Sequence, residues 1–227
     1  MIPILAPLVP HPPLPLKKKG GDIIHNLFKT QEVSKGDNNV KNLANKKLEV
    51  ICSGANQVLS EFQLMTVNGS TIKYKYSCLT HSAVVGGLIG GSTSWSATGN
   101  DGSTEYLDRQ TVSCLGEYGI RSFVMKWENK KIRYDYTCIK VKTRTCTEIN
   151  TAQTDAGSKN EVVFLDRQNV KANKGEYINS FGMKRAEKNT KYFYKIKSCS
   201  IKNPPAPVVN IVVDTELKTK NTDNQSM

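Results

Sequence analysis

The chain has 227 residues, enough to bury a core of its own, with 38% hydrophobic and 7% aromatic residues, as in soluble globular proteins. Its 32 Lys and Arg against 20 Asp and Glu give a formal net charge of +12, which favours acidic or polyanionic partners without fixing a fold. No apolar run approaches the roughly 20 residues of a transmembrane helix. No zinc-finger spacing, RNP-like aromatic motif or helix-turn-helix pattern accompanies the charge, so direct nucleic-acid binding is not expected.

Met1–Leu16 is apolar but carries prolines at 3, 7, 10, 12, 13 and 15. That density forbids a signal-peptide helix, and the basic run Lys17, Lys18, Lys19 follows the apolar stretch instead of preceding it. The segment reads as an extended or polyproline-type arm, or more sharply as one that docks on a neighbouring subunit or makes peripheral contact with a membrane. Residues 1–47 as a whole are expected to form this N-terminal arm, with at most a helical turn or short strand over Asp22–Thr30. Residues 203–227, opening on Pro204, Pro205 and Pro207, read as a C-terminal tail.

Between them, residues 48–202 carry an internal repeat. Leu107-Asp108-Arg109-Gln110 recurs as Leu165-Asp166-Arg167-Gln168, and at the same offset Val112 matches Val170, Phe123 matches Phe181 and Met125 matches Met183. Tyr134 and Tyr136 then match Tyr192 and Tyr194. A diverged copy precedes these, with Val50, Cys52, Phe62, Leu64 and Ile72–Cys78 in the corresponding places but no Asp-Arg-Gln. The units run over about 48–80, 105–145 and 162–200. Ile132–Val141 alternates large and polar residues with the period of a strand, and no convincing amphipathic helix is found. The expected fold is all-β, built from about three pseudo-repeats of short antiparallel strands as a three-fold prism, a trefoil-like body or a sandwich. Ser82–Ser103 suits a glycine-rich strand pair or an exposed loop, and Thr147–Asn160 reads as a loop.

Six cysteines invite pairing. Cys52 with Cys78 and Cys114 with Cys138 hold equivalent places in the first two units. In the third, Ala172 and Ile196 stand at the aligned positions, which leaves Cys146 and Cys199 to pair across units two and three. Buried free thiols are the competing reading. A zinc site is disfavoured, because no Cys-x2-Cys spacing exists and only His11, His25 and His81 are available.

No hydrolase, metalloprotease or phosphate-loop motif occurs, so neither enzymatic activity nor a cofactor is expected. Asp108 and Asp166 are better explained by pairing with Arg109 and Arg167, or by capping a strand end, than by catalysis. Lys17, Lys18, Lys19, Arg133, Lys140, Lys142 and Arg144 are the candidate contacts to an anionic partner.

The composite Leu-Asp-Arg-Gln-x-Val-x-Cys, Phe-x-Met and Tyr-x-Tyr-x-Cys pattern, carried by Leu107–Cys138 and Leu165–Tyr194, resembles a repeat in structural or surface proteins of large double-stranded DNA viruses of algae and protists. The resemblance covers about half the chain and implies a virion component of the minor-capsid or cement kind, made in the host cytoplasm. Terminal arms would clamp neighbouring capsid proteins, and the positive charge would face acidic capsomer surfaces. The alternative is a lectin-like surface protein that stacks sugars on repeated tyrosines. Exposed, equivalent pockets around Tyr74, Tyr134 and Tyr192 would favour the lectin; buried tyrosines would favour assembly.

Overall fold

The computed structural model describes residues 23–98, 103–157 and 161–202, apart from the side chains of Arg144 and Asn189. Met1–Leu16, Lys17, Lys18, Lys19 and the tail over 203–227 lie outside these residues, so the expectations placed on them are not addressed by the fold.

The three alternating stretches form three long antiparallel hairpins. They are β4 (Gln57–Val67) with β5 (Thr71–Thr80), β9 (Tyr118–Glu128) with β10 (Lys131–Val141), and β14 (Glu176–Ala186) with β15 (Lys191–Ile201). The tightest turn, Asn129–Lys130, has two residues at positive φ, 48° and 58°, a geometry whose twist matches that of the flanking strands.

Each hairpin gains strands on both sides. On the second arm sits an interrupted outer strand: β1 (Ile24–Lys29) and β2 (Val33–Ser34) on β5, β6 (Val84–Ser92) and β7 (Ser96–Ala97) on β10, and β11 (Thr143–Asn150) and β12 (Thr154–Asp155) on β15. On the first arm sits a short strand lent by the preceding unit. β3 (Val50–Ile51) joins β9, β8 (Thr111–Ser113) joins β14, and β13 (Asn169–Lys171) returns to β4. The handover runs from one to two, two to three and three to one. The result is an all-β, pseudo-three-fold prism of three five-stranded antiparallel sheets.

This arrangement corrects the unit boundaries. From Ile24 onward the chain belongs to the first sheet, so residues 24–47 are not part of an extended arm. Ser82–Ser103 supplies β6 and β7, and the polar stretch after Thr143 is the strand β11 instead of a loop. Glycine-rich or polar outer strands bury one face at most, so they lack the alternation that marks the hairpins.

The third hairpin turn is also longer. Ala186 pairs with Lys191, whereas Glu128 pairs with Lys131, which shifts the second arm by two residues. Leu64, Met125 and Met183 face Tyr74, Tyr134 and Tyr194. Tyr194, not Tyr192, is therefore the partner of Tyr134, and Tyr192 takes the place of Ile72 and Ile132. Ser198, not Ile196, stands where Cys78 and Cys138 stand.

The core is layered along the pseudo-axis. Phe62, Phe123 and Phe181 meet edge to face, with centroids 4.7–5.1 Å apart. Around them Tyr74 touches Phe62 and Phe123, Tyr134 touches Phe123 and Phe181, and Tyr194 touches Phe181 and Phe62. A second layer holds the equivalent residues Val58, Gly119 and Tyr177, which differ in size so that they fit together. A Cβ on Gly119 would stand 2.4 Å from Val58 Cγ2 and 2.6 Å from the Tyr177 ring. Gly119→Ala is expected to lower the unfolding free energy by about 1–3 kcal/mol through overpacking, as read by denaturant melts. A neutral result would mean that Tyr177 has somewhere else to go.

Candidate functional site

Most residues singled out by the repeat are spent on holding the prism together. Gln110 and Gln168 are buried where short 3-10 helices (Thr104–Arg109 and Val162–Arg167) enter the exchanged strands. Gln110 Nε2 donates to Ser96 Oγ at 2.6 Å and Ser94 O at 3.1 Å, and its Oε1 accepts from Thr93 Oγ1. Gln168 Nε2 donates to Tyr192 O at 3.0 Å and Ala152 O at 3.2 Å. Each amide therefore ties its exchanged strand to the kink in its own outer strand.

Asp108 pairs across units instead of with Arg109: Arg185 Nε donates to its Oδ2 at 2.8 Å, while Arg185 Nη1 reaches Glu105 at 3.3 Å. Asp166 accepts at its backbone oxygen from Gln63 Nε2 at 2.8 Å. Arg109 and Arg167 lie over the rings of Tyr106 and Phe164, at 4.6 and 4.5 Å, and Arg167 stands 3.9 Å from Asp155. The kink itself is a three-fold device that the repeat alignment did not reveal. Thr30, Thr93 and Thr151 accept at Oγ1 from the N–H of Tyr74, Tyr134 and Tyr194, and return their own N–H to the same tyrosine's carbonyl. A lone threonine per unit, each in a differently composed outer strand, carries too little signal to be found by comparing copies.

The tyrosines are not platforms. Tyr74, Tyr134, Tyr192 and Tyr194 are all buried, so the pockets that would favour sugar stacking at these positions are not formed. Tyr136 is half-buried on β10. Burial pushes the hydroxyls of Tyr74, Tyr134 and Tyr194 far above the usual phenol range, with the neighbouring tyrosines adding to it. Tyr192 is pushed up to about 12 by burial. Such groups hold their protons more tightly folded than unfolded. Their contribution is complete below the unfolded value near pH 10 and is lost as pH rises through the folded values. Stability is therefore expected to fall steeply above about pH 10, with these phenols silent in the 295 nm ionisation signal until the chain unfolds. Their smooth titration in a folded chain would contradict the buried ring.

Of the candidate basic contacts, Arg133 is engaged by Asp135 at 2.9 Å and lies over Trp95 at 4.6 Å. Lys140 and Lys142 are exposed. The side chain of Arg144 and the run Lys17–Lys19 fall outside the described residues.

All six cysteines are bonded. Cys52–Cys78 latches sheet one to sheet two, because Cys52 follows the strand lent to β9, and Cys114–Cys138 latches sheet two to sheet three. Cys146–Cys199 joins the paired neighbours β11 and β15 within the third unit, so it does not cross between units. The seam between sheets three and one holds Ala172 and Ser198 instead of a bond. There Asn173 N–H donates to Ser198 Oγ at 3.0 Å, and Ser198 Oγ donates to Glu176.

The same seam opens the main polar cleft of the described residues. Every first hairpin arm has a bulge beside the lent strand, at Ser60, Arg121 and Asn179. Arg121 reaches across to the carbonyls of Cys52 (3.0 Å) and Ser53 (3.1 Å), and Asn179 to those of Cys114 (3.0 Å) and Tyr118 (2.6 Å). Ser60 is too short to do the same. What remains is a cleft of about 400 Å3 lined by His25, Ser60, Glu61, Ser77, Lys171, Ala172, Asn173 and Lys174.

This cleft does not assemble a hydrolytic triad. Ser60 Oγ is 3.4 Å from His25 Nδ1 but donates to Ser77 O at 3.1 Å, and His25 is exposed. The carboxylate present, Glu61, accepts from Asn169 at 2.9 Å and pairs with Lys171 at 3.3 Å. Two ammonium groups, an imidazole and an amide around one carboxylate suit a hydroxyl-rich or anionic ligand group better than a reaction. No group of three potential metal-ligating side chains occurs among the described residues. No protein-family model, curated protein or solved structure matches this chain.

Proposed function

We propose that the protein is a non-enzymatic structural component of a large assembly, of the minor-capsid or cement kind, which bridges neighbouring subunits from a rigid prism. The observation that carries this reading is where the repeat's residues go. Phenylalanines, tyrosines, glutamines and cysteines all serve the core or the seams, so folding accounts for the repetition and no repeated ligand pocket is built. Three disulfides suit a chain exposed to oxidising surroundings, as on a virion or cell surface. The basic surface suits acidic neighbours. Cross-linking within particles isolated from the natural source is expected to join this chain to other structural subunits. Recovery only as a free monomer would overturn the reading.

The cleft at the unlatched seam favours a second reading, a surface protein that binds carbohydrate bearing carboxylate or sulfate groups. Ser60→Asn copies Asn179 and is expected to close the cleft. Binding to an acidic-glycan array that disappears in this variant would support carbohydrate recognition. Binding unchanged by it would place the sugar elsewhere.

A further inference from the structure

The three prism corners are not filled alike. Between sheets one and two, Phe28 on β1 stacks on Tyr76, with centroids 5.4 Å apart and planes 21° apart. Tyr76 is held there by donating to Ile51 O at 3.2 Å. In sheet two the register places Gly91 opposite Tyr136, just as Phe28 is opposite Tyr76. The ring of Tyr136 leans over this glycine, 2.6 Å from where a Cβ would stand. The missing phenyl leaves a socket of about 130 Å3, lined chiefly by Ile89, Gly91, Leu115, Tyr118, Tyr136 and Cys138 and by no charged residue. Its rim is unusually apolar for a basic chain: Leu115 is 85% exposed, and Leu88 and Ile89 are 56% and 50% exposed.

We propose that this socket receives proline and aliphatic side chains from Met1–Leu16 of a second copy of the chain. The proposal rests on the assembly reading and gives it a docking site. Three observations select that occupant. Met1–Leu16 holds six prolines and no Lys, Arg, Asp or Glu, so it can approach a basic body without repulsion. Extended proline-rich segments dock in tyrosine-lined apolar grooves, because they lose little conformational freedom and lay their rings on aromatic faces. The first described residue, Ile23, lies 3.3 Å from the Cβ position of Gly175, at the corner between sheets three and one. The socket is at a different corner, formed by β6 and β10 of sheet two with the lent strand of sheet three.

Sedimentation of the full chain across a concentration series tests this. The expected result is concentration-dependent self-association, weakened at least roughly tenfold by three full-length variants. Gly91→Phe supplies the missing phenyl from within, displacing only the mobile end of Tyr136. Leu115→Glu charges the rim. Leu5→Asp with Leu8→Asp and Leu14→Asp spoils the arm. A synthetic peptide of residues 1–16 is expected to compete, and unchanged melting temperatures show that the variants fold. A chain that is monomeric throughout, association that survives both socket variants, or arm variants that lose only binding to anionic vesicles would each overturn the assignment. A monomer that still cross-links into its source particle would overturn the socket alone and leave the assembly reading standing.

Discussion

Phe123→Ala is expected to lower the unfolding free energy by about 3–5 kcal/mol, the range found for deleting a buried aromatic ring. Phe123 lies on the pseudo-axis against Phe62 at 4.9 Å, Phe181 at 5.1 Å, Tyr74 at 5.7 Å and Tyr134 at 5.9 Å. Its removal strips contacts from all three units at once. The neighbours cannot close the gap, since each ring is anchored in a different sheet and the Thr30 and Thr93 bonds fix the backbones of Tyr74 and Tyr134. For a chain of this size the loss corresponds to a melting temperature lower by roughly 6–20 °C. Tyr134→Phe, which keeps the ring, is expected to shift it far less. A thermal melt of both variants under non-reducing conditions separates packing from general sensitivity. A loss below about 1 kcal/mol in Phe123→Ala would mean that the axial ring trio is not the main core.

The second large effect runs the other way. Ala172→Cys with Ser198→Cys is expected to form a third latch and stabilise the prism by about 2–4 kcal/mol. The two positions are 26 residues apart, the spacing of Cys52 and Cys78, and both are buried at the seam between sheets three and one. Part of the gain is offset, because Ser198 gives up its bonds to Asn173 and Glu176, about 1 kcal/mol each. The product is checked by the loss of two hydrogens in the non-reduced mass and by a higher melting temperature that returns to the parent value on reduction. Two free thiols in the folded double variant would show that the third seam does not share the geometry of the other two.

The sequence made the hairpins readable because each arm buries one face and therefore alternates strictly, as Tyr134, Tyr136 and Cys138 do against Arg133, Asp135 and Thr137. Disulfide pairing was readable from equivalent places in successive copies. Two kinds of information were not. An insertion in a turn leaves the pattern on both sides intact, so the two extra residues before Lys191 moved Tyr192, Tyr194 and Ser198 out of their apparent places without any local sign. Strand exchange is invisible for a related reason. A short strand such as Val50–Ile51 carries no mark of which hairpin it will join, and only closure of the ring decides that. The cleft was hidden because its cause is a small residue, Ser60, where Arg121 and Asn179 fill the other seams. Absence of bulk stands out only once the three bulges have been superposed.

A ribosome delivers β4 roughly a hundred residues before β13, the strand that will complete its sheet. At ordinary rates of synthesis the first hairpin waits several seconds with the Glu61–Gln63 edge open, and an open edge is a template for other strands. The third unit cannot close the ring until its own lent strand has emerged, so closure is late and depends on the most distant pairing in the molecule. A chain halted before Asn169 keeps that edge exposed for as long as it exists, which lets one strand report whether the whole repeat set has been made.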